Sequence, residues 1–245
     1  MSELPLRLAL PTVLVLLSAC APAPDGVTVH DPYEEQNRRV HEFNKAIDER
    51  VFGQLGGSGE SIDPELKQTV VNFADNVALP GMVLNGLLQA DIGGAATNTM
   101  RFLINTTVGV GGLLDPAGAI GLTEEETDFG ETLAVWNFPE GAYLELPILG
   151  PSTERAFAGR IVDAIIDPLD SVGTRPQKDY GTLSTLAGRA IKRDQFGDTI
   201  DSVLRDSADS YAQQRLIYLQ NRRFELGTTP ESESVDPYDE LFGDQ

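Results

Sequence analysis

The chain has 245 residues, 18 basic and 38 acidic side chains, a formal net charge of −20 and 41% hydrophobic residues. That apolar content is that of a folded chain with one large domain or two small ones. The charge excludes a surface that neutralises nucleic-acid phosphates and a polybasic patch for anionic lipid, so no nucleic-acid partner is expected.

The first feature in chain order is the lone Cys20, which closes Leu17-Ser18-Ala19-Cys20 after an apolar stretch from Leu8. Leu8 to Leu17 is ten residues, whereas a membrane-crossing helix needs ~20. It fits the apolar region of a cleaved signal, although the preceding segment offers only Arg7, opposed by Glu3. Two small residues followed by a thiol form the acceptor for a diacylglycerol group. We therefore expect a lipoprotein signal peptide over 1–19, lipidation at Cys20 and an Ala- and Pro-rich tether over 20–30. The alternative is a signal cut elsewhere and an incidental cysteine. Two or more acyl chains give stable anchoring. Ala21, rather than an aspartate, after the cysteine directs such a protein to the outer membrane, facing the periplasm. Once Cys20 is acylated no thiol remains for a disulfide.

Folded structure is expected from Asp31-Pro32, an N-cap followed by a residue suited to the first helical position. Val40, Phe43, Ile47 and Val51 recur at helical spacing as an apolar stripe. Glu34–Arg38 and Glu35–Arg39 are spaced for ion pairs on the wet face. Gly53 to Gly59 reads as a flexible connection, and Asp63-Pro64 as the start of a helix carrying Val70, Phe73, Ala74 and Val77. From Pro80 to Leu114 only Asp91 and Arg101 are charged, among seven glycines and several amides and hydroxyls. This segment predicts short helices, either packed in a core or lying in a membrane interface. Arg101 either pairs with a carboxylate or lines a polar cavity.

After acidic Thr123–Thr127, the stretch Leu133–Leu149 predicts a hairpin-like excursion, with Tyr143–Leu146 as a short strand and Pro139 and Gly141 in a turn. Pro151-Ser152 should open a helix with Phe157, Ile161 and Ile165 on one face, ended by Pro168. A helix is expected over Leu183–Arg193, and a long one from about Asp198 to Leu226, with Leu204, Tyr211 and Tyr218 seven apart and Gly227 as its stop. The segment 227–245 carries acidic residues and no basic ones, which predicts a disordered tail. The fold class is mainly α.

Chemistry is sparse. His30 and His41 are the only imidazoles, no Cys/His cluster has metal-ligand spacing, and no nucleophile elbow or phosphate loop occurs. Neither a cofactor nor a metal is expected. Asp128 and Glu131 suit capping or solvation better than acid–base work. An enzyme is disfavoured. A periplasm-facing lipid hydrolase would need His41 as its base.

Five blocks in order carry a resemblance. They are Asp31-Pro32-Tyr33-Glu34 with Asn37-Arg38 and Phe43-Asn44; Asn72-Phe73, Pro80 and Asn85-Gly86-Leu87-Leu88-Gln89; Arg101 through Gly109 with Asp115-Pro116; Asp128-Phe129-Gly130-Glu131-Thr132-Leu133 with Trp136; and Leu146-Pro147-Ile148-Leu149-Gly150-Pro151-Ser152. Behind the Cys20 motif, this chain resembles the MlaA/VacJ family of outer-membrane lipoproteins over 31–226. The resemblance implies a ring-like arrangement of amphipathic, membrane-interfacial helices with a short hairpin-like excursion, embedded in the inner leaflet of the outer membrane. It implies removal of phospholipids mislocalised to the outer leaflet, through an amphipathic channel, to the periplasmic carrier MlaC and on to an inner-membrane ABC-type complex, in association with trimeric porins. Under it, Arg101, Asn105, Thr106 and Thr107 are candidate channel lining. The competing role for Asn105–Thr107 is helix capping and turn formation. A porin-associated structural lipoprotein that moves nothing is the alternative function. The chain departs from the family at Gln36, where an aromatic residue is usual, and at Asn137, where a glycine usually follows Trp136.

Overall fold

A computed structural model describes residues 29–55, 63–166, 187, 190, 191, 193 and 196–227, with only the backbone of 51–55 and 198. The described chain is mainly helical. Its elements are α1 (Glu34–Leu55), α2 (Pro64–Leu88), α3 (Ile92–Thr107), α4 (Pro116–Ala119), α5 (Phe129–Val135), β1 (Tyr143–Leu146), β2 (Gly150–Thr153), α6 (Glu154–Ile166), α7 (Gly197–Leu204) and α8 (Ser210–Glu225). Among the described residues no helix is long and apolar enough to cross a membrane.

Carboxylates start the helices. Asp63 caps α2 through the Glu65 N–H at 2.8 Å, Asp91 caps α3 through Gly94, Asp128 caps α5 through Glu131 at 2.7 Å, and Asp209 caps α8 through Ala212. Each satisfies an orphan donor of the first turn. Helices α2 and α3 form an antiparallel pair closed by Gln89–Asp91, where Ala90 takes a φ of 62°. β1 and β2 pair antiparallel with Leu146 opposite Gly150, across a turn in which Ile148 and Gly150 have φ of 67° and 76°. One core cluster holds Phe129, Leu133, Ala158 and Val162 between α5 and α6; a second holds Tyr143, Tyr211 and Leu219, where β1 meets α8.

Helix α1 completes the sheet edge without being a strand. The Asn37 side chain donates to the Tyr143 carbonyl at 3.0 Å and accepts from the Glu145 N–H at 3.0 Å. The Asn44 side chain repeats this one step on, donating to the Leu146 carbonyl at 2.9 Å and accepting from Ile148 N–H at 2.7 Å. Seven helical residues advance ~10.5 Å and three strand residues ~10 Å. The two asparagines therefore match the repeat of the exposed edge.

Several expectations are corrected. Asp31 does not cap α1, which starts at Glu34; its carboxylate instead accepts from Asn37, Tyr211 and Arg215. The packed face of α1 is Asn37 and His41, while Phe43 is half exposed. Gly53 lies inside α1, and α2 runs on through Pro80, which has no N–H for the Asn76 carbonyl. Pro151 and Ser152 belong to β2, so α6 begins at Glu154. The buried face of α6 is Ala156, Ala158, Gly159 and Val162, with Ile165 exposed, because α5 lies too close for large side chains. The C-terminal helix is two, α7 and α8, broken at Arg205–Asp209 where Asp209 caps a new start. The strand Tyr143–Leu146, both α1 ion pairs and the Gly227 stop (φ 61°) are as expected. Cys20, Pro168, the tail after Gly227, most of Gly53–Gly59 and most of Leu183–Arg193 lie outside the described residues; Ala187, Ala190, Ile191 and Arg193 are helical.

Candidate functional site

Helix α3 is inverted relative to a helix of a water-soluble core. Its buried face is Gly94, Ala95, Asn98, Arg101 and Asn105. Its outer face carries Ile92, Met100 and Leu103, each half or more exposed. Exposed apolar residues continue through Val108, Val110, Leu113, Leu114 and Ile120, and onto Leu87, Leu88, Val135 and Trp136. Of the two charges in 80–114, Asp91 caps α3 and Arg101 points inward at 6% exposure. The result is an uncharged apolar belt over a polar interior, on a chain of net charge −20. Contiguous exposed apolar surface of this kind marks a membrane or partner contact.

Most interior polar groups are satisfied in two networks; the Arg101 Nε–H and the Asn76 Oδ1 are buried without a partner among the described residues. In the first, the Asn98 amide brackets Glu125, donating to its carbonyl at 2.8 Å and accepting from its N–H at 3.1 Å. Arg101 donates to the Leu122 carbonyl and to Asp115 at 3.3 Å, with Glu124 at 3.8 Å. Asn105 donates to Asp115 at 2.8 Å and accepts from Ala117 N–H at 3.0 Å. Burial opposes ionisation of Asp115, but the Gly118 N–H, the Asn105 amide and Arg101 outweigh it and hold its carboxyl below the usual range. One polar stripe of α3 thus pins segment 115–125.

In the second network, the Asn85 amide donates to Asp163 at 2.9 Å and accepts from the Thr132 hydroxyl at 3.0 Å. Gln89 donates to Thr127 at 2.7 Å and to Thr132 at 2.9 Å. Asp163 also accepts from Phe129 N–H at 3.1 Å. Burial raises the Asp163 carboxyl, against the lowering pull of these two donors. Trp136 closes the outer end by donating from Nε1 to the Leu88 carbonyl at 3.2 Å.

The four candidate lining residues divide. Arg101 and Asn105 are buried and engaged with segment 115–125, while Thr106 and Thr107 are exposed. Thr106 accepts from the Asn76 amide at 3.2 Å and the Thr107 hydroxyl donates to the Leu103 carbonyl at 2.6 Å. Asn37 and Asn44 hold the hairpin, Arg38 pairs with Asp209 at 2.9 Å, and Phe43 faces outward. Asp128 caps α5 and pairs with Arg222 at 2.6 Å, and Phe129 is core. A Cβ on Gly130 would lie 3.1 Å from the Ala156 Cα. Pro147, Gly150 and Pro151 shape the hairpin tip, where Ile148 is 73% exposed. Sequence reading missed Asn98, although its spacing of three and seven from Arg101 and Asn105 marks a polar stripe. Among the described residues no acidic or His/Cys group has the geometry of a metal site.

The family described as MlaA lipoprotein matches residues 29–225. A Rickettsia conorii protein without an assigned function is 34% identical over 76% of this chain and 73% of its own length. The Escherichia coli K12 protein named intermembrane phospholipid transport system lipoprotein MlaA is 29% identical, over 89% of this chain and 86% of its own. A solved structure from work on maintenance of bacterial outer membrane lipid asymmetry superposes with a TM-score of 0.67 at 28% identity, covering 80% of this chain and 98% of the other.

Proposed function

The chain belongs to the MlaA lipoprotein family, and from that premise we propose that it removes mislocalised phospholipids from the outer leaflet of the outer membrane. It passes them through an amphipathic channel to a periplasmic carrier of the MlaC type, for onward transfer to an inner-membrane ABC-type complex, beside trimeric porins. Residues 1–19 are the signal peptide, Cys20 carries the acyl anchor, 20–30 tether the helical domain 31–226, and 227–245 form an acidic tail. The helices lie in the periplasmic leaflet in a ring-like arrangement. Thr106 and Thr107, with the Arg101–Asn105 stripe behind them, are its polar lining.

The observation that carries this reading is the inversion of α3, with amides and a guanidinium inside and Ile92, Met100 and Leu103 outside. In water such a face is unfavourable. In a leaflet it is the soluble arrangement, and the polar interior suits headgroups crossing a layer where bare polar groups are costly.

The test is surface-exposed phospholipid in cells lacking the gene, read by phospholipase accessibility. A rise reversed by the wild-type gene, and not by a Cys20→Ala version, is the expected outcome. No rise in cells whose other transport components are intact would overturn it in favour of a porin-bound scaffold.

A further inference from the structure

A small cleft lies where the start of α5 meets α6 and α8, away from the α3 stripe. Its volume is about 130 Å³, and its polar lining is Asp128, Arg160, Tyr218, Asn221, Arg222 and Glu225. The volume suits a compact polar group and not a long acyl chain. Most of these charges already have partners. Arg222 donates to Asp128 at 2.6 Å and to Glu225 at 3.2 Å, and Asn221 donates to Glu225 at 2.6 Å. Two groups do not. Arg160 makes no ion pair or hydrogen bond with any other described residue, and Asp128 uses only Oδ1, for Arg222 and the Glu131 N–H. Among the described residues, a cation and a carboxylate oxygen without partners therefore face one opening without meeting each other. Burial raises the Tyr218 hydroxyl, with Arg222, Arg160 and a hydrogen bond with Ser152 pulling the other way, so Tyr218 is a neutral wall of the cleft.

We propose that this cleft binds the phosphoethanolamine headgroup of a glycerophospholipid, with its phosphate on Arg160 and its ammonium on Asp128 and Glu225. The assignment rests on the lipid-transport reading and gives it a headgroup. The two arginines and two carboxylates of the lining sum to zero, which matches a zwitterion. An anionic headgroup would leave a carboxylate facing its negative charge, within a chain of net charge −20. A primary ammonium offers three N–H donors to carboxylates, and a quaternary choline offers none. Asp128 and the belt residue Trp136 bracket α5, about 12 Å apart along its axis. A headgroup in the cleft is therefore within a lipid's length of apolar surface.

The test uses the acylated full-length protein in a mild detergent, titrated calorimetrically with dihexanoyl phosphatidylethanolamine, phosphatidylglycerol, phosphatidylcholine and inorganic phosphate. The ethanolamine lipid should bind about tenfold or more tighter than the other two lipids, and inorganic phosphate should not displace it. Arg160→Ala should weaken it about tenfold or more, as for loss of a charge-assisted hydrogen bond, and Arg160→Lys should recover most of the loss. Equal binding of the three lipids overturns the proposal and needs no variant. Displacement by inorganic phosphate at matching concentration overturns it in favour of a free-phosphate site. An Arg160→Ala protein with unchanged melting and unchanged binding also overturns it. If wild-type protein fails this panel yet restores surface asymmetry in deletion cells, the site falls and the transport reading stands. If the panel succeeds while deletion cells show no asymmetry defect, the site stands as a lipid-binding cleft and transport falls.

Discussion

Asn37 and Asn44 are small polar residues whose value lies in their register with a strand edge. Each amide supplies one donor and one acceptor to β1 and its turn. Replacing Asn37 with Ala leaves the buried Tyr143 carbonyl and Glu145 N–H unpaired, at about 1–3 kcal/mol each. Asn37→Ala should therefore lower the thermal midpoint by several degrees in circular dichroism, and Asn44→Ala by less, because Ile148 meets solvent. The pairing was legible as a motif but not as a mechanism, since nothing in a helix pattern announces a facing strand. Asn137 is different. It departs from the family's usual glycine, yet takes a left-handed φ of 62°, a conformation asparagine tolerates better than most residues, so the turn survives. A second residue-scale prediction concerns pH. Hydrogen bonds from Arg38 hold the Asp209 carboxyl at about 2, below its unfolded value of ~3.9. Its stabilising effect is present above the unfolded value and is lost as pH falls through the folded one. Asp209→Asn keeps the helix cap, so its deficit in urea unfolding relative to wild type should be small at pH 7 and vanish towards pH 2. A deficit that persists there would show that the Arg38 pair is not its source.

At the scale of elements, small residues set how closely helices approach. A Cβ on Gly159 would fall 2.2 Å from the Gly130 backbone nitrogen, so α5 and α6 touch through glycine. Gly159→Val should force them apart and cost about 1–3 kcal/mol or more, measured as a lowered urea midpoint. Gly81 is the contrast. It lies within α2, and a Cβ there meets nothing within 4 Å. Gly81→Ala should stabilise by about 0.5–1 kcal/mol. A destabilised Gly81→Ala protein would mean that Pro80 strains this turn of α2. The same close approach explains why the α6 stripe was misread. Large side chains at spacing four suggested the buried face, but the contact is made by Ala156, Ala158, Gly159 and Val162. The α1 stripe failed for a related reason. The face that meets β1 must hydrogen-bond a strand edge, so it is asparagine and histidine, and Phe43 turns outward. Helix starts were legible only in part: Asp63-Pro64 opens α2 as expected, whereas Asp31 is drawn away by Asn37, Tyr211 and Arg215, and Pro151-Ser152 belong to a strand.

For the whole molecule, the rule that apolar stripes face inward holds only when water is outside. The segment 80–114 left a packed core and a membrane interface both open, and burial separates them. Asn76, Asn85, Asn98, Arg101 and Asn105 are inside, while Leu87, Ile92, Met100, Leu103 and Val108 are outside. If lipid covers that belt, the acyl group proposed at Cys20 is not the only source of membrane affinity. Burying a half-exposed Leu or Ile contributes roughly 1 kcal/mol, so several together rival an acyl chain. A chain beginning at Ala21, without the acyl group, should therefore still float with phospholipid vesicles. Met100→Glu and Leu103→Glu lie on the outer face of α3 and remove no interior hydrogen bond. Each should weaken flotation about tenfold, through lost apolar contact and a carboxylate placed against hydrocarbon. Helical content should be unchanged. If the unacylated wild-type chain stays in the soluble fraction instead, the belt is covered by a protein surface, and the same two variants should then abolish its recovery with a porin trimer.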